Sequence, residues 1–258
     1  MDTLNIIKIG GNIVNKSKQL DKCLDEFLSL THPKILVHGG GSYASDMCQK
    51  LDIPIQMKDG RRITDGRALD VAVMVYAGLI NKNIVAKLQA RSANTLGLSG
   101  ADLNIIPAEK RSGTEIDYGF VGDIEAKTIN SYFLTRLLDE QIVPVISAIT
   151  HDNDGQLLNT NADTIASTLA VALCETYEVK LTYCFEKAGV MHNVDDDSSL
   201  IDLLTKESFA SLKSEGVIQD GMIPKLDTAF QALSQDVQNV HVKHALNLAN
   251  QTGTELSL

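Results

Sequence analysis

Apolar residues along this chain fall into two alternating rhythms. The first is a set of short, nearly unbroken apolar runs: Leu4-Asn5-Ile6-Ile7-Lys8-Ile9, Lys34-Ile35-Leu36-Val37, Leu96-Gly97-Leu98, Ile142–Ser147 and Val179–Phe185. Runs of this kind are predicted to be strands covered on both faces. The second rhythm repeats every three to four residues. From Ser17 to Leu30 it puts Leu20, Cys23, Leu24, Phe27 and Leu28 on one helical face. Further helices are predicted from the loop after His38 through Leu51, from Gly66 to about Arg91, over Ile129–Gln141, over 163–176 and 205–215, and through Phe230 and Leu233. Residues Ile105 to Ala126 read as a β-ribbon, and Gln238–Val242 and Thr252–Leu256 as closing strands. Strands alternating with helices throughout predict an α/β fold, a mainly parallel sheet with helices on both faces. On the long helix, the Val71, Val75 and Leu79 face is core or a subunit contact, with at least part of it expected at an interface.

The ends of the predicted strands carry the polar chemistry. Lys8 interrupts an apolar strand that runs into Gly10-Gly11-Asn12. It either snorkels to the sheet edge or points at a ligand, as residues at strand C-termini do in open α/β sheets. Gly10 and Gly11 would let phosphate oxygens approach the backbone. The second strand ends at His38-Gly39-Gly40-Gly41-Ser42, where bare amides at a helix start suit a carboxylate or phosphate. His38 reads as a hydrogen-bonded structural residue rather than a base.

A turn at Lys58-Asp59-Gly60 leads to Arg61 and Arg62, and at most one of the two is expected to reach a carboxylate. Asn159, Asn161 and Asp163 then crowd the start of an Ala-rich helix. One of them serves as a cap; two carboxamides and a carboxylate together also suit an anion and the cations around it. Lys225 falls in the first turn of the helix after Gly221 and Pro224. A cation there opposes the helix dipole, and it is better explained by a facing anion.

Composition narrows the partners. The chain has 258 residues and a formal net charge of -10, which argues against nucleic acid, whose backbone needs a basic face. The four cysteines, Cys23, Cys48, Cys174 and Cys184, show no metal-ligand spacing and read as buried structural thiols. No signal peptide and no apolar run near membrane-spanning length is evident. A soluble cytoplasmic enzyme, acting on small molecules and without a membrane partner, is the expectation.

Together, Lys8-Ile9-Gly10-Gly11, His38-Gly39-Gly40-Gly41, Gly60-Arg61-Arg62-Ile63-Thr64, Asn159-Thr160-Asn161-Ala162-Asp163 and Gly221-Met222-Ile223-Pro224-Lys225 resemble the amino acid kinase family. Within it they match the branch that phosphorylates N-acetyl-L-glutamate in arginine biosynthesis. Each motif is weak alone; in this order and over nearly the whole chain the set is specific. The resemblance implies an open αβα sandwich, with residues 1–176 as an acylglutamate-binding, dimerising lobe and 177–258 as an ATP-binding lobe. It implies that Lys8 and Lys225 stabilise the transferring phosphoryl group and that Asp163 positions both. Gly40 and Gly41 would face the γ-carboxylate, and Arg62 and Asn159 the α-carboxylate, with Asn161 beside them. Gly10, Gly11, Glu186, Lys187, Ala188, Gly189, Val190, Met191, Val217, Ile218 and Gln219 would hold the nucleotide, with Glu186 standing where the family usually has Asp. Mg²⁺ would enter with ATP, and no dedicated protein metal site is expected.

The sequence lacks the N-terminal helical extension of hexameric, arginine-inhibited relatives, which leads to the expectation of a homodimer without strong arginine feedback. Two alternatives stay open. Met74–Asn83 and Gly97–Asp102 resemble relatives that act on N-succinyl-L-glutamate, whose third carboxylate Arg61, Lys82 or Lys87 could meet. A non-catalytic regulatory binding module would share the same fold.

Overall fold

A computed structural model describes residues 1–31, 33–58 and 61–258, and their side chains except those of Arg61, Asp197 and Asp220. Its strands are β1 (Thr3–Ile9), β2 (Lys34–His38), β3 (Gln56–Lys58), β4 (Arg61–Ile63), β5 (Thr95–Leu98), β6 (Glu109–Lys110), β7 (Gly122–Asp123), β8 (Val143–Ser147), β9 (Ile149–His151), β10 (Leu157–Asn159), β11 (Glu178–Phe185), β12 (Leu203–Thr205), β13 (Asn239–His244) and β14 (Thr254–Ser257). Its helices are α1 (Gly11–Val14), α2 (Ser17–Ser29), α3 (Gly41–Lys50), α4 (Gly66–Val73), α5 (Asn81–Gln89), α6 (Ser131–Asp139), α7 (Ala162–Leu173), α8 (Lys206–Ser214) and α9 (Ile223–Leu233).

Eight strands form one sheet in the order β12-β14-β13-β11-β1-β2-β8-β5. From β13 to β5 all neighbours run parallel; β14 is antiparallel to β13 and carries β12 parallel to itself. The core strands β2 and β8 are buried at every residue, as is β1 from Leu4 to Ile9. Helices cover both of their faces, and for that reason their sequences read as continuous rather than alternating apolar runs. The register sets Ile9 beside both His38 and Cys184. The loops after β1, β2 and β11 therefore leave the same edge of the sheet, where an open α/β sheet gathers ligands.

Lys34 is a buried cation at the start of β2, only 1% exposed. Its ammonium donates to the carbonyls of Phe27 (3.2 Å), Leu28 (2.9 Å) and Leu30 (2.7 Å). These carbonyls lie at the C-terminal end of α2, where Phe27 O otherwise accepts from the Leu30 amide at 3.3 Å, so the lysine closes that helix.

Helix α4 starts at Asp65, whose carboxylate accepts from the Ala68 amide at 2.8 Å. It continues through a π-helical segment, Met74–Ile80, directly into α5. The whole stretch Gly66–Gln89 has 24 residues, and an 18-residue window reaches a mean hydropathy of 1.4, enough to span a membrane by length and composition. That corrects the expectation that no run approaches such a length. Half of this window is buried inside the fold, as in the core helix of a globular protein. Val71 and Val75 lie in the core, whereas Met74 and Leu79 are exposed.

Two other expectations shift. The ribbon over 105–126 reduces to the two-residue pair β6–β7; bends, irregular backbone and isolated bridges at Pro107, Gly119 and Val121 make up the rest. Cys174 is only partly buried, unlike Cys23, Cys48 and Cys184.

Candidate active site

A cleft of about 770 Å³ opens at the shared strand edge. Lys8 reaches it from β1, Gly39 to Gly41 from the end of β2, Arg62 from β4, Asn159 from β10 and Asp163 from the first turn of α7. The Lys8 ammonium lies 2.7 Å from Asp163 Oδ1, and both side chains are under a tenth exposed. The snorkelling alternative for Lys8 therefore does not hold: the side chain turns into the cleft. No hydrogen bond of normal geometry reaches Asp163 Oδ1, so the contact is a close ion pair.

Asn161 is the N-cap of α7. Its Oδ1 accepts from the Asp163 amide at 2.8 Å and the Thr164 amide at 3.1 Å, which leaves its NH₂ group free of the cap on a residue that lines the cleft. Asn159 donates to Thr64 Oγ1 at 3.0 Å. Arg62 donates through Nη2 to Gly41 O (3.0 Å) and Ser45 Oγ (2.5 Å). Its buried Nη1 has no hydrogen-bond partner, so the guanidinium keeps a donor in reserve. The turn at Asp59-Gly60 and the Arg61 side chain lie outside the described residues.

The glycines are required by close approach. A Cβ on Gly40 would stand 2.4 Å from Ile80 Cδ1 and 2.8 Å from Tyr76 Cδ1, and one on Gly11 would stand 2.8 Å from Ser42 Oγ. The two glycine loops thus touch. His38 is fully buried, and burial pulls its pKa down from 6.5 to about 4. Its Nε2 accepts from Asn81 Nδ2 at 3.1 Å, which leaves Nδ1 to donate to Gly39 O at 3.0 Å. A neutral imidazole locked in this way is structural.

Lys225 is set apart from the cleft lining. Its ammonium sits 4.8 Å from the centre of the Phe185 ring. Burial lowers its pKa, Asp163 raises it and Lys8 lowers it again. It therefore feels the Lys8–Asp163 pair without forming an ion contact to it.

The residues expected to hold a nucleotide gather on the β11 side. Gly10 and Gly11 adjoin Lys8, and Gly11 lines the cleft. Glu186 meets Lys16 at 3.3 Å and accepts from Asn12 Nδ2 at 3.2 Å, which ties the end of β11 to the loop after β1. Lys187 is exposed, and the Ala188 carbonyl accepts from the His244 amide at 3.2 Å. Gly189, Val190 and Met191 are buried, with the Val190 amide donating to Thr254 Oγ1 at 2.8 Å. Ile218 is buried between the partly buried Val217 and the exposed Gln219. None of the residues from Glu186 to Met191 or from Val217 to Gln219 lines the main cleft.

Other lining residues carry no local sequence signal. Arg111 pairs with Asp123 across β6–β7, its Nε 3.0 Å from Oδ2, and both line the cleft. Thr228 and Gln231 enter from α9, and Gln235 from the turn that follows it. Two-residue strands have no periodicity to read, and these polar positions look like ordinary solvated helix surface. Two of the three cations considered for a third substrate carboxylate are engaged elsewhere: Lys82 donates to Gly97 O at 3.0 Å and Lys87 pairs with Asp21 at 2.9 Å, and neither lines the cleft.

A buried lysine, a second lysine nearby, bare backbone amides and an arginine with a spare donor suit a doubly anionic ligand beside a transferring anionic group. The chain belongs to the amino acid kinase family, whose model matches residues 3–244. It is 50% identical over 249 residues to the acetylglutamate kinase of Cytophaga hutchinsonii, covering 96% of this chain and 94% of that one. It is 47% identical over 253 residues to the acetylglutamate kinase of Phocaeicola vulgatus, covering 98% of each. Its fold matches a crystal structure of N-acetylglutamate synthase from Neisseria gonorrhoeae, complexed with coenzyme A and N-acetyl-glutamate, with a TM-score of 0.84 at 19% identity, over 99% of this chain and 59% of that one.

Proposed function

We propose that this protein transfers the γ-phosphoryl group of ATP to the γ-carboxylate of N-acetyl-L-glutamate, the phosphorylation step of arginine biosynthesis. The observation that carries the reading is the buried Lys8–Asp163 pair, set between two touching glycine loops. Full-length relatives bearing the acetylglutamate kinase name support it.

In this reading the γ-carboxylate lies against the Gly40 and Gly41 amides, and Arg62 Nη1 with Asn159 holds the α-carboxylate. The carboxylate oxygen attacks the γ-phosphorus in line; the new C–O–P link forms as the bond to the β-phosphate oxygen breaks, and ADP leaves with the electron pair. Lys8 and Lys225 neutralise the charge on the equatorial oxygens, and Asp163 holds Lys8 in place. The acceptor is already ionised at neutral pH, so no general base is needed. This agrees with a His38 that is neutral and fully hydrogen-bonded.

No three His, Cys, Asp or Glu side chains among the described residues form a metal cage, and the nearest carboxylate, Asp163, is occupied by Lys8. Mg²⁺ fits here as the companion of the ATP phosphates, keeping its own waters. We assign residues 1–176 to the acceptor lobe and 177–258 to the nucleotide lobe. ATP would lie along the Glu186–Met191 and Val217–Gln219 segments, with Lys225 between it and Lys8. The exposed Met74 and Leu79 on the long helix support a homodimer, and a cytoplasmic setting suits ATP as donor.

A second reading keeps N-succinyl-L-glutamate as acceptor; Arg111 favours it as a cleft-lining cation, whose guanidinium a third carboxylate would share with Asp123. The test is acyl-phosphate formation trapped with hydroxylamine, run in parallel on N-acetyl- and N-succinyl-L-glutamate with MgATP. Acyl phosphate from the acetyl substrate is expected. Preference for the succinyl substrate would move the assignment to the second reading, and no product from either would leave a binding module.

A further inference from the structure

Helix α4, the π segment and α5 bury Ala72, Tyr76, Ile80, Ile84 and Leu88, at a uniform step of four residues. In a pure α-helix each four-residue step turns the side chain about 40° away from its predecessor. Over four steps the last residue would face nearly opposite to the first. A π turn takes up more residues and cancels part of this drift, and π turns are rare and gather at functional positions. Here the π segment spans Met74–Ile80, and it and the first residue of α5 make two sets of contacts around the same loop.

Before the loop, Asn81 donates to His38 Nε2 (3.1 Å) and to Val145 O (2.8 Å). Within it, the ring of Tyr76 and the tip of Ile80 close on Gly40 so tightly that a Cβ there would overlap both. Tyr76 is 4% exposed and lines the cleft. Its hydroxyl lies 3.9 Å from where a Gly41 Cβ would stand. Burial raises the Tyr76 pKa, and the facing Arg62 guanidinium opposes that rise. The same phenol thus touches the glycine loop and faces the arginine that crosses it.

We propose that the π-helical turn sets the His38–Ser42 loop in its anion-binding position, with Tyr76 as the positioning residue: its ring, with the tip of Ile80, holds Gly40. The identity of the anion rests on the function proposed above, and the positioning does not. The amide of Ala44 donates to Gly40 O at 2.9 Å, so its hydrogen exchange reports where Gly40 sits.

The experiment uses the full chain in three variants, Tyr76→Ala, Tyr76→Phe and, as a control for general destabilisation outside the cleft, Leu138→Ala. Tyr76→Ala is expected to speed Ala44 amide exchange at least tenfold. It should also raise KM for N-acetyl-L-glutamate about tenfold with KM for ATP unchanged, since the loop amides move from their binding positions. Tyr76→Phe keeps the ring and should restore both the Ala44 protection and the wild-type KM. Leu138→Ala should leave both KM values as they are. Wild-type Ala44 exchange in Tyr76→Ala overturns the proposal, as does a Tyr76→Phe variant that loses Ala44 protection. If Tyr76→Ala does not fold, the same exchange measured in Tyr76→Leu, which keeps bulk but no ring, decides. If the wild-type protein makes no acyl phosphate while Tyr76→Ala loosens Ala44, the assigned reaction fails and the positioning role stands.

Discussion

Lys8 Nζ stands 2.7 Å from Asp163 Oδ1, with the two side chains 7% and 8% exposed. The pair joins the end of β1 to the first turn of α7, where a carboxylate is also favoured by the helix dipole. Removing one partner of a buried pair leaves an uncompensated charge, which costs about 3–5 kcal/mol. Lys225 has no such contact, and its burial already lowers its pKa.

The two lysines should therefore separate experimentally. Lys8→Ala and Lys225→Ala are both expected to cut turnover by a few orders of magnitude with a modest loss of ATP affinity. Only Lys8→Ala should also lower the unfolding midpoint in urea, because it strands Asp163. Near-normal turnover in either variant would remove that lysine from the mechanism; equal midpoints would show that Asp163 finds another partner.

His38 gives the stability a pH dependence of known sign. Burial holds its folded pKa at about 4, below the 6.5 of an unfolded chain. Between those values the unfolded chain binds a proton that the fold excludes. The stabilisation from a neutral His38 is present in full above pH 6.5 and is lost as the pH falls toward 4, by at most about 3 kcal/mol. Burial lowers the pKa of His241 too and adds a slope of the same sign, so the comparison must be by difference. Urea titrations of wild type and His38→Asn at pH 7 and pH 4.5 should show a shallower loss in the variant. Identical slopes would mean that His38 takes up its proton in the folded state at ordinary cost.

Most of the sheet was legible because its central strands are buried on both faces, and β1 and β2 each run into a glycine. Val143–Ser147 and Glu178–Phe185 fall within a residue of the predicted runs. The glycine loops, Arg62 and the Asn159–Asp163 cluster were also legible, since polar residues at strand ends and helix starts have few purely structural uses. The π turn was written in the sequence as well, in the four-residue step from Ala72 to Leu88, but a reading tuned to a 3.6-residue period passes over it. Arg111 was not legible: its place in the cleft comes from a ribbon of two-residue strands. Lys34 was likewise hidden, because its three carbonyl partners come from the preceding helix and not from any pattern around it.

Gly97 stood in a stretch that resembles one branch of relatives, yet it has a packing reason. A Cβ there would stand 2.1 Å from Asn81 Oδ1 and 2.9 Å from Val85 Cγ2. Asn81 cannot withdraw without releasing His38 and the Val145 carbonyl. Gly97→Ala is expected to lower stability by about 1–3 kcal/mol, the usual cost of overpacking. Equilibrium unfolding checks it, and a wild-type midpoint would show that α5 shifts aside without losing the Asn81 bonds.

Asn161 carries two duties that substitution can separate. Its Oδ1 caps α7 through the Asp163 and Thr164 amides, and its NH₂ group is left for the cleft. Serine keeps an acceptor for the cap and has no carboxamide; alanine keeps neither. Asn161→Ala should cost about 1 kcal/mol of stability, and Asn161→Ser only a few tenths. Both should raise KM for the acylglutamate by about tenfold if the carboxamide donates to the substrate, since that donor is missing in each. Thermal unfolding and steady-state kinetics on the same preparations decide the matter. If Asn161→Ser has wild-type stability and wild-type KM, capping is the whole of the residue's role, and the anion is held by Arg62, Asn159 and the glycine loop without it.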